Sequence, residues 1–164
     1  MTTTRTLSDA IRDAWASIPA PPAEDLKYMA WGWGEDAARE FTGVAPMDVD
    51  ITSEGFFAAD PLFDIPHRAA AAYLGPFLLS VLRDLELQKT VGIFSNVTHR
   101  AHVLTCLTTP YFWDNVRPFL PPKCREVLAQ VATFFASEHE AFASLTPEDV
   151  DILRAQAADV LKSA

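Results

Sequence analysis

The chain predicts a mainly α fold, a single compact helical domain spanning residues 1–164 and decorated by one short β-hairpin. Three observations lead there. Apolar residues recur at three- and four-residue spacing over long stretches, which is the signature of helices with one buried face. At 164 residues and 49% hydrophobic content the chain is sized for one core, which buries roughly 70% of the unfolded surface. No internal repeat, low-complexity linker or composition break marks a domain boundary.

The first helix is expected from Ser8 to Ile18, because Leu7, Ile11, Trp15 and Ile18 share one side while Arg12, Asp13 and Ser17 share the other. Pro19, Pro21 and Pro22 end it, since proline has no amide proton and clashes with the preceding turn. A helical turn follows over Glu24 to Met29. Trp31-Gly32-Trp33-Gly34 reads as a turn carrying two indoles beside Tyr28, and Glu35 to Phe41 as a short helix closed near Gly43. Met47, Val49 and Ile51 then alternate with Asp48, Asp50 and Thr52, a period of two that predicts a strand, with Val91 to Val97 as its partner.

The strongest signal begins at Pro66 and runs to Leu87, where two adjacent apolar rows require burial on most of the circumference. Gly75 and Pro76 fall inside it, so a kink or a break into two helices is expected there. Thr98 is suited to cap a helix over His99 to Leu107. The segment from Thr108 to Pro122, dense in aromatic residues, reads as a loop plugging a core edge. Pro122 opens an amphipathic helix through Val127, Leu128, Val131, Phe134 and Phe135, and Thr146-Pro147-Glu148-Asp149 opens the last, ending near Lys162.

Charge is distributed unevenly. The formal net charge is -9, yet Glu35 to Asp64 alone holds eight acids against one base, Arg39. The same stretch carries Phe41, Val44, Met47, Phe56 and Phe57. Fixed negative charge mixed with large apolar anchors is a pattern of protein-binding surfaces. Asp48, Asp50, Glu54, Phe56, Phe57 and Asp60 are therefore the candidate binding residues. The only net-positive quarter, residues 65 to 125, disperses its bases among apolar residues, which argues against nucleic-acid binding.

Catalytic and metal motifs fail residue by residue. Asp48-x-Asp50-x-Thr52 matches the start of a calcium loop, but Ser53 stands where the loop needs glycine and Ala59 where it needs a bidentate glutamate. His99 and His102 share a helix face without a third ligand at helical spacing, and His139-Glu140 lacks the second histidine of a zinc-protease helix. No serine elbow surrounds a nucleophile, Gly32-x-Gly34 lacks the third glycine of a phosphate cradle, and Cys106 and Cys124 read as reduced core thiols. No catalytic residue, metal or cofactor is assigned. Met1 to Ser8 lacks the apolar centre of a signal peptide and no run of about 18 apolar residues exists for a membrane span, so a cytoplasmic location away from membranes is expected.

The Tyr73-Leu74-Gly75-Pro76-Phe77-Leu78-Leu79 segment, with Leu145-Thr146-Pro147-Glu148 opening the terminal helix, resembles a family of small, mostly helical bacterial proteins of unknown function. The similarity spans Trp31 to Leu161 and departs at Val91 to Thr98 and at Thr108 to Pro122, which are longer here. The resemblance implies a helical domain and no catalytic residue.

The function expected is a non-catalytic acidic protein-binding domain, of the inhibitor or immunity type, covering a basic protein partner. The alternative is a small-ligand-binding or enzymatic helical domain whose pocket uses His99, His102 or His139.

Overall fold

The computed structural model describes residues 3–26, 40–54, 56, 62, 65–92, 97–142 and 144–162. Among these residues there are six α-helices: α1 (Thr4–Trp15), α2 (His67–Val91), α3 (Val97–Thr108), α4 (Pro110–Val116), α5 (Pro122–Ser137) and α6 (Pro147–Lys162). Short 3-10 turns lie at Ala23–Leu26, Pro46–Asp48, Arg117–Phe119 and His139–Ala141.

Helix α1 starts four residues earlier than its apolar pattern suggests, because the Thr3 hydroxyl accepts the Thr6 amide proton at 3.2 Å and supplies the cap. It buries Leu7, Ile11, Ala14 and Trp15 against α2 and α5. Trp15 is the key of that contact. Its indole Nε1 donates to the Ala71 carbonyl of α2 at 3.2 Å, and its ring lies where a Cβ on Gly75 would come within 2.6 Å. Gly75 is thus a docking notch for an indole, not a helix breaker.

Helix α2 runs unbroken through Pro76, and the expected break into two helices does not occur. Every residue from Ala69 to Leu82 is buried, with α1, α3, α4 and the 46–48 turn around it. Packing on all sides outweighs the one backbone hydrogen bond that the proline removes. Pro66 is its N-cap residue, and Gly92 closes it in the left-handed conformation, φ 71°, with its amide donating to the Gln88 carbonyl at 3.1 Å.

The β-hairpin is corrected by these helices. Residues 46–48 form a 3-10 turn and α2 continues through Val91, while residues 93–96 of the expected partner strand lie outside the described residues. The alternation at Met47, Val49 and Ile51 has another cause: Val49 is buried and Met47 and Ile51 are half-buried, so an irregular segment lies along the core with its acids outward. Pro46, without an amide proton, opens a tight turn and suits no strand centre.

The expected loop at Thr108 to Pro122 holds α4, with Thr109 before it and Pro110 at its first turn. Phe112, Trp113 and Val116 are buried, and the Trp113 Nε1 donates to the Leu107 carbonyl. Helices α5 and α6 pack along each other in the most extensive contact among the described elements. Thr146 and Asp149 cap α6 reciprocally, the Asp149 carboxylate accepting the Thr146 amide proton at 2.8 Å and the Thr146 hydroxyl accepting that of Asp149 at 3.2 Å. Both cysteines are buried, and neither is in a disulfide.

Candidate functional site

The acidic segment enters the fold at Phe41 and Val44, whose carbonyls both accept the Tyr73 hydroxyl of α2, at 2.7 and 3.1 Å. Burial raises that phenol to about 12, so it stays a neutral donor at physiological pH. From this tether the chain crosses the 46–48 turn and Asp50 then closes a second turn. The Asp50 carboxylate accepts both the hydroxyl and the amide of Thr52, at 2.6 and 2.8 Å, and the Ser53 amide donates to the Asp50 carbonyl. Those hydrogen bonds lower the Asp50 carboxyl below its usual range, the hydroxyl contributing most, then the amide, with a smaller attraction from Arg83. Ser53 accepts the Phe56 amide proton at 3.0 Å and directs the chain into the core.

Asp48, Asp50 and Glu54 are all exposed along this segment. Among the described residues none of the three enters an ion pair. Their charges are therefore held on short turns and left uncompensated at contact distance. Phe57 and Asp60 of the expected set lie outside the described residues, as does the Tyr28, Trp31 and Trp33 cluster and most of the expected helix from Glu35.

Phe56 does not sit beside those acids as an anchor. It is 0% exposed. Its ring stacks on Phe77 at 4.5 Å between centroids and lies 5.1 Å from the His99 ring, with Phe41 at 6.0 Å. Phe41, Phe56, Tyr73, Phe77 and His99 form one buried aromatic cluster beneath the acidic segment. Phe56 can hold the segment in place but cannot touch a partner.

Against His99 in that cluster lies Ser80, which sequence reasoning missed. Ser80 is at i+3 from Phe77 on α2 and donates its hydroxyl proton to the Phe77 carbonyl at 2.7 Å. The His99 Nε2 lies 2.9 Å from the Ser80 Oγ. A hydroxyl has one proton, and with it on the carbonyl, Nε2 must be the donor. Burial, helped by the nearby His102, pushes the His99 imidazole down to about 4, so it is neutral at physiological pH. A serine nucleophile needs the opposite arrangement, its hydroxyl donating to an exposed imidazole. Farther along α2, Gln88 accepts from the buried Arg100 at 2.8 Å, and that guanidinium lies 5.5 Å from the Phe142 ring centroid. The α2–α3 interface is thus a polar seam inside an apolar core. Ser80 and Gln88, at i and i+8 on α2, were its sequence signal.

His102 is half-buried on α3, and His139 is exposed on the 139–141 turn with its Nδ1 3.1 Å from the Ala136 carbonyl. Among the described residues no three His, Cys, Asp or Glu side chains converge as a metal cage requires. No described helix is long and apolar enough to cross a membrane. Comparison of the chain with protein-family models, with curated proteins and with solved structures finds no match.

Proposed function

We propose that this protein is a non-catalytic acidic binding domain, of the inhibitor or immunity type, that acts in the cytoplasm and docks on a basic protein through Asp48, Asp50 and Glu54. The observation that carries the reading is the contrast along nine residues. Three carboxylates project from turns fixed by Asp50 and Ser53, with no described cation paired to them, while Val49 and Phe56 root the same segment in the core. Rigid, preorganised charge speeds encounter with a cationic surface and costs little ordering entropy on binding. Phe56 serves as an internal buttress in this reading. His99 and Ser80 support it too, since their hydrogen-bond direction and burial suit a core contact and not an exposed nucleophile.

The test is affinity capture from the native cell at low and high salt, using the wild type, the triple variant Asp48→Lys, Asp50→Lys, Glu54→Lys, and a control triple at exposed acids elsewhere, Asp114→Lys, Glu126→Lys, Glu148→Lys. The wild type and the control should retain the same salt-sensitive basic protein, and the first variant should lose it. Equal retention by all three, or equal loss from both variants, rejects the acidic segment as the docking surface.

A further inference from the structure

A cleft of about 390 Å³ opens between α1 and α2, with Ile51 and Leu79 among its lining residues. Three arginines line it: Arg5 and Arg12 from α1, and Arg83 from α2. Its size falls within the range of small-molecule sites, and this is an unexpected concentration of guanidinium groups on a chain of net charge -9. We propose that this cleft binds a small phosphate ester bearing free hydroxyl groups, with Arg5, Arg12 and Arg83 holding the phosphate.

The helix geometry builds the site. Arg5 and Arg12 are seven residues apart, two turns and about 10 Å along α1, with Ser8 between them on the same face. Arg83 answers from the opposite wall. Guanidinium groups are planar forks that match phosphate oxygens in pairs, and the Ser8 hydroxyl adds a donor of the kind phosphate sites recruit. Neither Arg5 nor Arg83 forms an ion pair among the described residues, so neither must break one to take an anion. Arg12 has only a loose contact with Asp9 at 3.6 Å, on an exposed surface where such pairs contribute little.

The two acids of the cleft narrow the ligand class. Asp9 and Glu86 would repel a bare polyanion filling the whole volume, but each accepts hydroxyl protons. Arginines for a phosphate, carboxylates for hydroxyls and the apolar Ile51 and Leu79 for a carbon skeleton together describe a sugar phosphate or similar phosphorylated polyol. This inference uses none of the three docking carboxylates, although Ile51 of the same segment lines the cleft and Arg83 also attracts Asp50.

Titration calorimetry with ribose 5-phosphate as the probe tests it, with free ribose and succinate as controls. The wild type should bind the phosphate ester saturably and more weakly as salt rises. Arg83→Gln and Arg5→Gln should each weaken it by about tenfold or more, whereas Arg154→Gln on α6 should leave it unchanged. All three arginines replaced are exposed, and unchanged circular dichroism confirms that the variants fold. Absence of saturable binding overturns the proposal, as does equal loss from Arg154→Gln. Succinate binding as tightly as the phosphate ester also overturns it, because the site would then read charge and not phosphate.

Discussion

Gly75 shows how one missing side chain sets a helix–helix contact. A Cβ there would lie 2.6 Å from the Trp15 Cγ and 2.9 Å from Cδ1 and Cδ2, atoms of a rigid, fully buried ring. Alanine is the better helix former by about 1 kcal/mol, but overpacking a core costs about 1 to 3 kcal/mol. The overlap is with a ring that cannot swing aside, so overpacking wins. Gly75→Ala should lower Tm by several degrees in a thermal melt, and a raised Tm would show that the indole is not seated as described. His99 supplies a second single-residue test. The unfolded imidazole titrates near 6.5 and the buried one at about 4. Between those values the unfolded chain binds more protons, so stability falls as pH falls through this window, by on the order of 3 kcal/mol, and is untouched above it. His99→Phe keeps a ring against both Phe56 and Phe77 and removes the titrating group. Urea denaturation from pH 7 to pH 4 should then cost the wild type more than the variant, and parallel losses would contradict the buried neutral imidazole.

Helix signals were legible where one face carried a continuous apolar row. Leu7, Ile11 and Trp15 announced α1, Val127 through Phe135 announced α5, and the Thr146 to Asp149 box announced α6. Removing that box should be measurable by itself: Thr146→Ala is expected to cost about 1 kcal/mol in chemical denaturation, read as a lower midpoint with an unchanged slope. Helix α4 was hidden because Pro110 and Pro118 frame seven residues too short to show a helical period, and propensity alone does not decide such a segment. The strand over Met47 to Ile51 was misread for a different reason. A period of two says that alternate residues point inward, which a 3-10 turn followed by a bend satisfies without any partner strand. At Pro76 the expected break was outweighed by the burial of every residue from Ala69 to Leu82.

Taken together, the charge pattern pointed to the acidic segment, while the burial of its aromatic residues could not be read from it. Phe41 and Phe56 lie next to acids in the chain, yet both rings turn inward to meet Tyr73 and Phe77, more than fifteen residues away. Nearness in sequence to Asp48 and Glu54 said nothing about which side of the segment faced water. The resulting division of labour predicts a dissociation of effects. Phe56→Leu should lower stability by the loss of a stacked ring, about 1 to 2 kcal/mol, while sparing the affinity of the folded fraction. The Lys triple at Asp48, Asp50 and Glu54 should do the reverse, with an intact melt and lost affinity. The account is decided by the salt dependence of binding between the captured basic partner and that triple variant, followed by calorimetry across a series of ionic strengths. Affinity should fall by more than about tenfold at low salt, and its dependence on salt should flatten relative to the wild type. An unchanged affinity with an unchanged salt slope would show that these carboxylates only keep the protein dissolved.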